Sequence, residues 1–367
     1  MLQKWKCSGF QLMLLGLMMT IALASSCRSK PVPPREALQK AIEQELEVTT
    51  SETESLVQFS LMMDTSEFID PETEVVLGLL ENITLHMKAV NDIPAMMSSM
   101  QGRLDVGGML FHFDILTTNE VLALKVPALA TLLQEPRLQQ GYIVLRMEDL
   151  MSEVPEAQSG VYEEMVGLLS DHQRSLKLTR IVLERTLEAL EDNVLEDLGE
   201  VTIEIGNDQE KVRQIAVHIG ETELRALALA YIDLFSDEEM RDFLFEMDLA
   251  VSPEISRETF ETEMNKMIEE VKPVLDEMMD AFFETVDMEQ SSFILTLFLN
   301  NEHQVLRTHF AGNAFITPEP GRRVNAVLDI TSDTLSRNET VSIEIPEMTS
   351  ENTMDIMELL WLLMFAF

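Results

Sequence analysis

The spacing of apolar side chains changes several times along this chain, and each change marks an element. An almost unbroken apolar run extends from Phe10 to Ala24. From residue 35 to 46, Leu38, Ala41, Ile42 and Leu46 recur at helical spacing, and the polar stretch Thr49 to Ser55 reads as a break after that helix. From Leu56 the period becomes two. Val57, Phe59, Leu61 and Met63 alternate with more polar neighbours, and so do Ile83, Leu85, Met87 and Ala89. Asn91-Asp92 and Pro94 turn the chain into a run from Met96 to Val106. Gly107-Gly108 is then a hairpin signal, and Met109, Phe111, Phe113 and Ile115 return against His112 and Asp114. Thr118-Asn119 turns into Val121 to Val126, which carries Leu122 and Leu124 and stops at Pro127; Tyr142 to Met147 follows. The pattern predicts an antiparallel meander of about six strands over 55–147, with one apolar face.

The period is mostly helical from 148 to 290. Val161 to Leu190 reads as one long amphipathic helix, with Leu168, Leu169, Leu176, Leu183, Leu187 and Leu190 as core positions. Two strands interrupt, Val201 to Ile205 and Val212 to Gly220. Glu221 to Phe235 is a further helix, Ser236 with Glu239 predicts a capping box for the next, and Arg257 to Val286 is a third, containing Pro273. Strand spacing returns over 291–346. Phe293, Leu295, Leu297 and Leu299 alternate, Asn300-Asn301 turns, Val305 to Ala311 runs back, Val324 to Ile330 follows, and Val341 to Ile345 is the last strand expected. Residues 352–367 end in an apolar segment containing Trp361. Strands on both sides of a helical block predict an α+β fold, a large antiparallel sheet of about 10–12 strands covered by helices. No Gly/Ser-rich linker divides residues 35–367, so one domain is expected.

The start of the chain adds a compartment. Lys4 and Lys6 precede the apolar run, and Ala24-Ser25-Ser26 lead into Cys27. The run suits a signal core and is short of the roughly 20 residues a spanning helix needs. The layout resembles the lipobox of bacterial lipoproteins, although Ala24 stands where that motif favours a larger aliphatic residue. The expectation is a signal peptide over 1–26, an acylated Cys27, and a stiff Pro-rich tether over 27–34. The protein would then be exported and anchored to an envelope membrane by its N-terminal lipid. Ordinary cleavage or an uncleaved anchor are the other readings of the same residues.

Composition narrows the partners. Formal charge is −39, with 65 Asp and Glu against 26 Lys and Arg, a balance that argues against nucleic acid and against surface attraction to anionic lipid. Of the two cysteines, Cys7 lies in the leader, so Cys27 would have no intrachain disulfide partner. The six histidines lack a metal-ligand spacing, and the 25 methionines fall at apolar positions of the pattern, so neither zinc nor copper is expected and no cofactor is implied. No nucleophile elbow, phosphate loop or dinucleotide fingerprint occurs, and an enzyme is not expected.

Four strings carry a resemblance: Ala37-Leu38-Gln39-Lys40-Ala41, the meander from Gly102 to Val126, the helix pair Glu223 to Phe245, and Ser342-Ile343-Glu344-Ile345-Pro346-Glu347 followed by Thr349 and Asn352. Together they resemble envelope lipoproteins of the LolA/LppX-like (lipoprotein-carrier-like) group. The resemblance implies an incomplete β-barrel around helices, with an apolar cavity that holds acyl chains. On the alternating faces, Phe59, Leu61, Leu85, Met87, Phe111, Phe113, Leu122, Leu124, Phe293, Leu295 and Leu297 are the cavity candidates, and Trp361 is a tail or gate candidate. The same residues would equally form a filled core in a non-binding scaffold or assembly module. A hydrolase with an unrecognised site is a third possibility. The sequence names no protein partner.

Overall fold

The computed structural model describes residues 25–26, 32–64, 78–146, 167, 171–252, 254–319 and 322–359. Pro34–Glu45 forms α1, opened by Pro34, whose fixed φ and missing N–H suit a first helical position. Six strands follow: β1 (Thr50–Asp64), β2 (Ile83–Asp92), β3 (Met97–Val106), β4 (Met109–Thr117), β5 (Val121–Lys125) and β6 (Tyr142–Arg146). The short helix α2 (Pro127–Leu132) lies between the last two. Then come α3 (His172–Ala189), β7 (Leu195–Ile205), β8 (Asp208–His218), α4 (Glu221–Asp233), α5 (Glu238–Val251) and α6 (Arg257–Thr285). The chain closes with β9 (Ser292–Leu299), β10 (Val305–Glu319), β11 (Arg322–Arg337) and β12 (Thr353–Asp355). The protein is thus α+β, and its main strands are mostly antiparallel, in the order β12-β6-β5-β4-β3-β2-β1-β11 for one run and β10-β9-β8-β7 for the other. A separate two-residue ladder pairs Ser25–Ser26 with Glu302–His303.

The fold divides into two compact units. The first takes Met1–Glu47 and Glu156–Asn325; the second takes Val48–Pro155 and Ala326–Phe367. In the first unit, helices cover a sheet. Ala37, Leu38, Ala41 and Ile42 of α1, with Leu183 and Leu187 of α3 and Leu227 of α4, pack on Leu195, Ile215, Val217, Leu297, Leu299 and Val305. Arg35 ties α1 to the end of α3: its guanidinium donates to the Leu187 carbonyl at 2.6 Å, to the Leu190 carbonyl and to Asp192. These groups satisfy carbonyls that a helix end leaves open. Thr296 and Phe298 of β9 alternate with Leu297 and Leu299 and are buried too. Where a strand is sealed on both faces its sequence loses the apolar–polar alternation, as Thr-Leu-Phe-Leu at the buried end of β9 does. A second cluster joins Ile232, Phe260, Met264 and Ile268, with the Phe245 and Phe260 rings 5.3 Å apart.

In the second unit β1 to β6 form the expected meander, each strand beside its sequence neighbour. Gly107 (φ 58°) and Gly108 (φ 81°) occupy the left-handed positions of the β3–β4 hairpin, a conformation glycine adopts at no steric cost. β12 joins β6 in parallel, matching Thr353 with Tyr142. Gly141 permits this approach, because a Cβ there would collide with the Asn352 and Arg137 carbonyls.

Four expectations change. Thr49 to Ser55 is no break: Thr50 opens β1, and its polar side chains find partners, Ser51 with Asn91, Glu52 with Lys88, and Ser55 with Ser332. The long helix does not run unbroken to Leu190; Asp171 caps α3, accepting from the Arg174 N–H at 3.1 Å, while Leu168 and Leu169 lie outside the described residues. Asp237 rather than Ser236 caps α5, accepting from the Glu239 N–H at 3.1 Å. Val341 to Ile345 is not a strand; Ile343 and Met348 instead pack on Leu116, Ala123 and Val144.

Candidate functional site

Strand alternation and register build one continuous face in the second unit. Cross-strand pairing sets its positions in rows. The first row is Ser51, Asn91, Ser98 and Thr117, across β1 to β4. The second is Thr53, Ala89, Met100, Ile115 and Leu124. The third is Ser55, Met87, Gly102 and Phe113, the fourth Val57, Leu85, Leu104 and Phe111, and the fifth Phe59, Ile83, Val106 and Met109. The face therefore grades from hydroxyls and an amide at one end to purely apolar side chains at the other. It holds no charged residue. His86, Lys88, Arg103, Asp105, His112, Asp114 and Lys125 alternate with these positions, so their side chains stand on the opposite face. There Lys88 pairs with Glu52, and Lys125 lies 3.9 Å from Asp114 and 5.6 Å from the Tyr142 ring centre. Burial, with a smaller push from Asp114, raises the Tyr142 hydroxyl above its ordinary range.

Burial divides the two faces in an unexpected way. Leu116, Ala123 and Val144 lie on the charge-bearing side of their strands, yet they are sealed beneath Ile343 and Met348. The apolar rows are not sealed. Of the candidates Phe59, Leu61, Leu85, Met87, Phe111, Phe113, Leu122 and Leu124, none is buried: Leu122 is 41% exposed and the other seven are half-buried. Met109, at the far end of the face, is 49% exposed. Among the described residues, closure comes beside β6, where Ile143 packs with Ala130, Leu138 and Met354.

The structure brings these eight candidates onto one face, with Leu61 two residues beyond Phe59 on β1 and Leu122 beside Thr117. Phe293, Leu295 and Leu297 belong to the first unit. Leu297 is buried in the core beneath α1 and α3, and half-buried Leu295 packs against it. Phe293 is half-buried beside Phe310 over Gly312, its partner on β10. Phe113 does the same in the second unit, its ring lying across Gly102 where a Cβ would otherwise stand. Cys27 and Trp361 lie outside the described residues.

Sequence reasoning did not count Met100, Gly102, Leu104 and Val106, or the polar row, among the cavity candidates. Gly102 and Ser98-Ser99 blur the alternation in β3. Counting back by two from the Gly107-Gly108 turn would have recovered it.

Among the described residues no group of three or more His, Cys, Asp or Glu side chains is placed to hold a metal ion. Nor is any described helix long and apolar enough to cross a membrane. No protein-family model matches the chain, and no curated protein is similar to it.

Proposed function

We propose that this chain is a lipid-anchored cell-envelope protein that binds or carries a hydrophobic ligand, an acyl chain or a lipid, against the apolar face of β1 to β5. One observation carries the reading: the apolar rows of these strands stay half-buried, while a small core closes on the other side. A sheet normally seals its apolar face under another layer, and a contiguous accessible patch marks a binding surface. The four apolar rows extend about 20 Å along the strands. One bilayer leaflet gives acyl chains about 15 Å, so the face is long enough for such a chain. The leader and Cys27 supply export and acylation in this reading. The antiparallel sheet with helices on part of it suits the LolA/LppX-like fold that the sequence resembles.

The filled core of the first unit favours a second reading for that half, a scaffold that binds nothing. The carrier role therefore rests on the second unit alone.

Phe111→Ser and Leu85→Ser separate the two readings. On a binding face each variant is expected to cut uptake of a fluorescent lipid analogue about tenfold while changing stability by less than about 1 kcal/mol. In a filled core the same changes would cost roughly 3 kcal/mol or more. A large loss of stability, together with a ligand-free mass for the gently purified protein in native mass spectrometry, would sink the proposal. Cys27→Ser is expected to release the protein from membranes.

A further inference from the structure

We infer that the ligand of this face has an uncharged, hydrogen-bonding head, seated on the row Ser51, Asn91, Ser98 and Thr117. Its chains lie toward Phe59, Ile83, Val106 and Met109. The inference rests on the proposal that the face takes a hydrophobic ligand, and it names the chemical class. It follows from the gradient across the five rows. Only the first row offers a hydrogen-bonding side chain on each of β1 to β4, before it passes to Leu122 on β5. Ser51, Asn91 and Ser98 are half-buried and Thr117 is exposed, so a ligand can reach them. The Asn91 amide donates to the Ser51 hydroxyl at 3.2 Å, which orients both groups within the row.

An anionic head would find no cationic side chain among the face positions of β1 to β5. Lys88, Arg103 and Lys125 point to the opposite face, and the whole chain carries −39. A carboxylate or phosphate brought onto the row would lose water and gain no cation. A glycerol or sugar head keeps its hydrogen bonds by exchanging water for hydroxyl and amide partners. The polar row at one end also fixes a single orientation for the bound molecule.

The test compares two lipids with the same chain. An uncharged solvatochromic dye is bound to the exported protein carrying Cys27→Ser, then displaced with 1-monolauroylglycerol or with laurate, each below its micellar concentration. The glycerol lipid is expected to displace the dye at a concentration about tenfold lower than laurate. Asn91→Lys, which places a cation on the row, is expected to draw laurate in and abolish that preference. Ser98→Val, a second variant, is expected to weaken the glycerol lipid and leave laurate unchanged. Equal potency, or better displacement by laurate, overturns the head-group assignment and leaves the hydrophobic-ligand proposal standing. If the dye does not bind, or neither lipid displaces it, both fall.

Discussion

Asp248 lies in the last turn of α5, where burial and then the neighbouring Glu263 carboxylate push its carboxyl above the ordinary range. A folded-state value above the unfolded one means that the charged form at neutral pH weakens the fold. The helix C-terminus adds to the penalty, since its partial charge is negative. Asp248→Asn is therefore expected to stabilise the protein at pH 7 by about 0.5–1 kcal/mol. The advantage should shrink as pH falls through the raised folded value of Asp248, where the wild-type carboxyl becomes neutral as well. Thermal melts at neutral and acid pH check this, and an equal midpoint at pH 7 counts against it. Asp197 shows the opposite sign. Its hydrogen bond from Arg213, at 2.8 Å, holds its carboxyl low, so that bond's contribution persists above the usual carboxylate range and is lost on acidification below it.

Whole elements were legible where one rule dominated. The meander followed from alternation and from the Gly107-Gly108 turn, because a half-exposed antiparallel sheet prints its two faces directly onto the sequence. Thr50 to Ser55 did not look like a strand, because its stability comes from side-chain pairs that only the register creates. Val341 to Ile345 did look like one, since Val, Ile and Ile alternate with Ser and Glu; Ile343 serves packing without a ladder, and Ile345 is exposed. Most of the candidate face was legible as alternating residues, but its gradient was not, because rows run across strands and depend on pairing. The helix starts shifted for a local reason. Ser236 and Asp237 are both good caps, and Asp237 is the one placed to accept from the free N–H groups of α5. Asp237→Ala is expected to cost about 1 kcal/mol, and Ser236→Ala much less. Equal losses in chemical denaturation would contradict that assignment.

For the molecule as a whole, charge is the dominant long-range force. With 65 acidic residues against 26 Lys and Arg, self-repulsion opposes compaction. Local clusters offset part of it, as where Arg257 meets Asp242 at 2.6 Å and Glu261 at 2.7 Å. Raising salt from about 0.01 M to 0.5 M shortens the screening length from about 30 Å to a few ångström. The melting temperature is expected to rise over that range, and a fall would mean that the ion pairs outweigh the repulsion. The parallel strand β12 bears on how the molecule is made. It meets Tyr142–Val144 from a point about 200 residues later in the chain. Until Thr353 has been made, the outer backbone groups of β6 lack the partner that β12 supplies, an invitation to pair with a neighbouring nascent chain. That edge of β6 thus stays open to mispairing through the making of about 200 further residues, and whatever keeps growing chains apart favours the native partner.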